Sequence, residues 1–195
     1  MRCITVQHIA VLDELNTTGV YHADISRVAP NLVAPYQKIM QFYQFEHCPI
    51  FLSVVGRRAE MYGARTGRDY VALEFEVPDD IAKYQDYYDW CDLIFWVESP
   101  KEFDPENFNA KLNIHTVEDY ANFVFRTGTI DTWRAVQAVV PELRKEWLLY
   151  TTRDLHKLED RHIGSGGANM LLPLSSYGKV DTINEPDLHS NVFNL

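Results

Sequence analysis

The stretch that most restricts this chain is Trp133 to Tyr150, WRAVQAVVPELRKEWLLY. Ala135 to Val140 is apolar except for Gln137, and Pro141 then stops it, because proline cannot donate to a sheet ladder. A polar turn over Glu142 to Glu146 leads into a second apolar run, Trp147 to Tyr150. The pattern predicts strand, turn, strand, with Gln137 and Glu142 as the polar groups best placed beside a cleft. On a regular strand residue 142 would share a face with Val136, Ala138 and Val140, while Gln137 would face the other way. Either Pro141 bends the chain and brings Glu142 into the cleft, or the site has no acid there.

A second strand signal is YVALEFEV, Tyr70 to Val77. Val71, Leu73, Phe75 and Val77 fall on one face, and Glu74 and Glu76 on the other. CITVQ (Cys3 to Gln7) and CPIFLSVVG, ending at Gly56, read as further strands. Helices are expected after His8, with Ile9, Leu12 and Leu15 on one face and Gly19 as the stop. A second is expected over Ala34 to Phe45, started near Pro35 after a Pro-bounded loop from Ser26. A third runs from Thr116 to Phe125, with Thr116 and Asp119 at capping spacing. Asp79 to Glu106 reads as a solvated acidic helix plus loop, its aromatics packing on the sheet or meeting a basic partner. The element order is that of an α+β domain with a mixed sheet and flanking helices. It spans 1–162, and the Gly-rich segment from Gly164 opens a C-terminal tail or arm over 163–195. Thr151 to His162 is charged and helix-compatible.

With 195 residues, 46% of them hydrophobic, one packed domain is expected. The formal charge of -10 argues against a broad basic nucleic-acid surface. Cys3, Cys48 and Cys91 form no CxxC pair, which fits reduced thiols in a cytoplasmic protein and no metal site. The N-terminal residues carry acids by Asp13 and are expected to form neither a leader nor a membrane span. GxSxG, HExxH and a strand-bound GxGxxG are all missing from the sequence. His8, at the end of the first strand, and the arginines Arg57, Arg58, Arg65 and Arg68 remain as ligand-binding candidates. Guanidinium forks match phosphate oxygens.

Two resemblances sharpen this. ITVQ, LDELNTTGVYHAD, VALEFEVPDD with YYDW behind it, and VQAVVPEL resemble, in order and spacing, the bacterial unknown-function domain family 3841, whose name implies no activity. HIAVLDELNTTG, CPIFLSVVGRRAEMYG and WRAVQAVVPELRKEWLL are similar to three segments of DarT-like ADP-ribosyltransferases. That similarity implies a split, mainly antiparallel sheet that cradles NAD. It implies His8 on the NAD ribose, Arg57 or Arg58 on phosphate, and Tyr21 or Tyr62 stacked on nicotinamide. It also implies an acid that favours the transition state electrostatically. In the family a glutamate follows Gln-Ala; here Val139 follows Gln137-Ala138, and the nearest carboxylate is Glu142. The expected function is an NAD-using ADP-ribosyltransferase-like toxin or phage-defence effector. It would act on a nucleic acid or protein and be held by an antitoxin or regulatory protein. The alternative is a non-catalytic interaction protein that works through Asp79 to Glu106.

Overall fold

The computed structural model describes residues 1–55, 68–126, 136–154 and 157. The tail over 163–195 and the segment carrying Arg57, Arg58 and Tyr62 lie outside the described residues. The opening strand β1, Arg2–His8, becomes the centre of the fold. Its last residue caps the next element: the His8 Nδ1 accepts the Ala10 N–H at 3.2 Å, starting helix α1, Ile9–Thr18. Gly19 ends α1 at φ 85°, and its N–H reaches the Leu15 carbonyl at 3.0 Å. That left-handed turn is the conformation a glycine accepts without strain. A two-residue strand β2, Val20–Tyr21, follows.

Helix α2 spans Pro30–Tyr43 and so begins earlier than the sequence suggests. Pro30, not Pro35, occupies the first turn, and the expected loop from Ser26 is cut short by it. Pro35 sits inside the helix. Leu32, Pro35, Tyr36 and Ile39 are all buried at the spacing of one helical face. Their shared burial outweighs the one backbone bond that the proline forgoes.

Strands β3 (Ile50–Val54), β4 (Tyr70–Glu76) and β5 (Lys83–Asp86) follow. β5 was not legible in the acidic stretch. Asp86 ends it and caps helix α3, Tyr87–Glu98, accepting the N–H groups of Tyr88 at 2.9 Å and Asp89 at 3.1 Å. Helix α4, Val117–Arg126, has the expected reciprocal cap. The Asp119 N–H donates to the Thr116 Oγ1 at 3.1 Å, and the Thr116 N–H donates to the Asp119 carboxylate at 3.0 Å. The chain closes with β6 (Val136–Val140), β7 (Leu143–Arg144) and β8 (Leu148–Thr152). The late apolar stretch thus holds a short third strand, β7, between the two that were expected.

The main sheet has the order β5-β6-β3-β1-β4-β8, and all its pairings are antiparallel. β2 and β7 form a separate two-stranded sheet. The fold is therefore α+β with antiparallel sheets and four α-helices among the described residues. Among them no helix is long and apolar enough to cross a membrane. Among the described residues a large core and a small second cluster around Ile4 and Ala72 are packed; in the large one Phe51 of β3 stacks on Trp90 of α3 at 5.3 Å and Tyr36 of α2 lies against both. Cys3 and Cys48 are buried free thiols, and that burial pushes both up to about 12.

The sheet also buries polar groups. Residues directly opposite in antiparallel pairs share a face. One transverse row runs Gln85, Gln137, Ser53, Ile4, Glu74, Tyr150, one residue from each strand. Glu74 is fully buried and accepts the Arg2 Nε–H at 2.8 Å, whereas Glu76 is exposed. An unpaired buried polar group costs about 1–3 kcal/mol, so this row marks the part of the sheet where burial alone does not explain the sequence.

Thr116→Ala should destabilise the fold by about 1 kcal/mol through loss of the α4 cap. In a domain of this size that lowers Tm by roughly 2–4 °C, measurable by thermal melting.

Candidate functional site

β1 and β6 are both antiparallel to β3, which lies between them, so they run in the same direction. Two strand spacings of about 4.8 Å separate them. His8 closes β1, Ile50 opens β3 opposite Val140, and Val140 closes β6. The exits of the opening and late strands therefore meet at one end of the sheet.

Pro141 ends β6 there, and Glu142 follows in irregular backbone. Leu143–Arg144 then pairs with Val20–Tyr21, and the Lys145 N–H donates to the Gly19 carbonyl at 2.9 Å. This clip places Glu142 in the short connection between β6 and β7. Its side chain is 18% exposed. One carboxylate oxygen accepts the Arg144 Nε–H at 2.6 Å, and the other faces the His22 Nε2 at 2.9 Å. An ionised carboxylate there places the proton on Nε2. The His47 ring lies 3.9 Å from the His22 ring, tilted by 35°. A bridge between Ala23 and Cys48 brings those two loops together. Arg144 also reaches Glu146 at 3.7 Å and lies over the Trp147 ring at 5.6 Å.

Burial works to raise the Glu142 carboxyl, but hydrogen bonds and charge from Arg144 and His22 override it. The group lies below the usual carboxylate range and is ionised at neutral pH. The cluster is an ionised carboxylate paired with one guanidinium and hydrogen-bonded to one imidazole.

The other anticipated residues divide. His8 is at this end and exposed, its Nδ1 used as the α1 cap and its ring edge-on to Tyr70 at 5.7 Å. Tyr21 is in the core, and burial raises its hydroxyl. It offers no open face for stacking, because pairing with Leu143 fixes it inside the clip. Gln137 is buried in β6, level with Ser53 of β3, whereas Glu142 follows the end of that strand. Arg57, Arg58 and Tyr62 fall outside the described residues.

His22, His47 and Arg144 were not anticipated. Arg144 had a signal, since positions two apart in an extended segment project to the same side. His22 had none, being 120 residues from Glu142 in the chain. Comparison with family models, curated proteins and solved structures gave no match to this chain.

Because the folded Glu142 pKa is depressed, its ion pairs stabilise the fold fully above the ordinary carboxylate value of about 4.3. That stability is lost as pH falls through the lowered value. Melting curves against pH should show wild type above Glu142→Gln at neutral pH and the two converging in acid. Parallel curves across the range would contradict this.

Proposed function

We propose that the chain is an ADP-ribosyltransferase-like protein that uses NAD to modify a nucleic acid or protein, with Glu142 as its acidic residue. The observation that supports this most is the carboxylate itself. The late strand lacks the glutamate expected at Val139, yet two residues past its end an ionised carboxylate is held at 2.6 Å and 2.9 Å by Arg144 and His22. Further support is the closeness of the β1 and β6 exits, with His8 on the first.

The donor set fits such a ligand. Two of the roughly four acceptor sites on the Glu142 carboxylate are used, which leaves capacity for a ribose hydroxyl. NAD supplies a glycosidic bond whose cleavage builds positive charge on its ribose. Glu142 places fixed negative charge at the sheet end, and prior fixation by Arg144 means that no reorganisation is needed as charge develops. His22 is a positioning residue: it holds one carboxylate oxygen and is itself held by the His47 ring. His8, exposed at the same end of the sheet, is the residue offered to contact the ribose.

The test is nicotinamide release and label transfer from NAD to RNA, DNA and protein. Glu142→Gln should lower the rate about 10²-fold, the effect of removing one preorganised electrostatic group, with the melting temperature at pH 7 reduced only slightly. NAD left intact by the wild type, or Glu142→Gln at the wild-type rate, would overturn the proposal.

A second reading draws on α3, whose Tyr88 and Phe95 are exposed within an acidic segment. Exposed aromatics among acids suit a basic partner protein. Binding on this face should weaken as salt rises and on Phe95→Ala, with Glu142→Gln silent; the reverse pattern would remove this reading.

A further inference from the structure

We infer that His22, besides holding the Glu142 carboxylate, is the base that takes the proton from an acceptor hydroxyl; this rests on the ADP-ribosyl-transfer reading above. The imidazole has one nitrogen committed and one open. Its Nε2 faces the Glu142 Oε2 at 2.9 Å, and an ionised carboxylate there keeps the proton on Nε2. In that tautomer Nδ1 carries a lone pair and no hydrogen. Among the described residues no hydrogen bond occupies Nδ1, and it is not one of the polar atoms shut off from solvent. The side chain is 35% exposed, so an incoming group can reach the ring. Two contacts fix it. Glu142 holds one edge, and the His47 ring lies against it with centroids 3.9 Å apart. The bridge between Ala23 and Cys48, each next in the chain to one of these histidines, ties their backbones together.

A base is effective when it is aimed and when its protonated form is stabilised. Here the carboxylate that sets the tautomer also faces the positive charge once Nδ1 has taken a proton. A ribose hydroxyl on Glu142 and an acceptor oxygen on Nδ1 are separated by one imidazole ring. As the bond from the ribose C1′ to nicotinamide breaks, its electron pair leaves with nicotinamide, whose ring nitrogen loses its positive charge. The acceptor oxygen forms a bond to C1′, and its proton passes to Nδ1. The site also narrows the acceptor. An anionic acceptor has no proton to give and needs no base. A cationic one meets the Arg144 guanidinium, paired to the same carboxylate. A neutral hydroxyl, of an alcohol or of water, is the group for which a base changes the rate.

The experiment incubates the full chain with NAD in water alone, with added methanol and with added azide, and separates ADP-ribose, methyl ADP-ribose and azido ADP-ribose. Methanol stands for an alcohol acceptor; azide is an anion that attacks without losing a proton. His22→Gln is the variant, because its amide still donates to Glu142 but is not basic. The methanol and water products should fall about 10²-fold, while the azide product stays close to wild type. Methyl ADP-ribose from the wild type identifies an alcohol as the acceptor and ADP-ribose alone identifies water; with the azide result, either supports the base. Equal loss of all three products would leave His22 a positioning residue only and overturn the inference. Full methanol and water transfer by the variant would overturn it too, and would leave the transfer reading standing. NAD left intact by the wild type with every acceptor overturns the transfer reading and this role with it. If His22→Gln does not fold, ring-nitrogen NMR of the wild type decides. A proton on Nε2 and a bare Nδ1 in the neutral ring support the inference, and the opposite tautomer overturns it.

Discussion

The structure depends on the ladder that β1 makes with its two neighbours. Seven successive pairs, from Arg2 with Glu76 to His8 with Tyr70, bind it to β4, and Cys3 and Ile4 bind it to β3. An interior strand whose backbone groups are satisfied on both sides fixes the register of the strands that depend on it. Here that register determines which side chains lie level. It sets His8 at the same end of the sheet as the exit of β6, and it lines up the polar row from Gln85 to Tyr150. A one-residue slip of β1 would send Cys3 and Ile4 to exchanged faces and would break the Arg2 to Glu74 ion pair.

Two features at different levels of the sheet then ask for explanation, and different physics governs each. At the end of the sheet, Glu142 is a charge kept ionised by its neighbours and partly open to water. Lower on the sheet, the neutral and buried Gln85 amide and the Gln137 Nε2 have no hydrogen-bond partner among the described residues. A charged group close to solvent suits electrostatic work on a developing charge. Neutral amides in a dry setting are costly when a donor or acceptor is unmatched.

Much of the frame was legible in the sequence because it follows from local chemistry. The stop at Gly19, the Thr116 and Asp119 cap, the alternation from Tyr70 and the break at Pro141 each depend on a few adjacent residues. α2 was placed too late because two prolines compete for one first turn, and only the buried stripe of Leu32, Pro35, Tyr36 and Ile39 shows that Pro30 holds it. β5 was hidden because KYQD has neither alternation nor apolar weight; its place comes from pairing with β6. Glu142 was legible as the nearest acid and Arg144 as its neighbour two residues on, but His22 was not, since it meets Glu142 only through the β2 to β7 clip, and His47 joins His22 through the Ala23 to Cys48 bridge. The stacking role of Tyr21 came from the resemblance alone, and a short extended piece does not tell a buried tyrosine from an exposed one.

The claim that the exits of β1 and β6 build one ligand site is tested most directly by following histidine ring resonances while NAD is added. His8, His22 and His47 lie at that sheet end, whereas His115 is bonded to Asn113 at the start of α4. The account predicts that the resonances of His8 and His22 move together and saturate at one NAD per chain, with His115 unmoved. Movement of His115 alone, or no movement at any of the four, would contradict it.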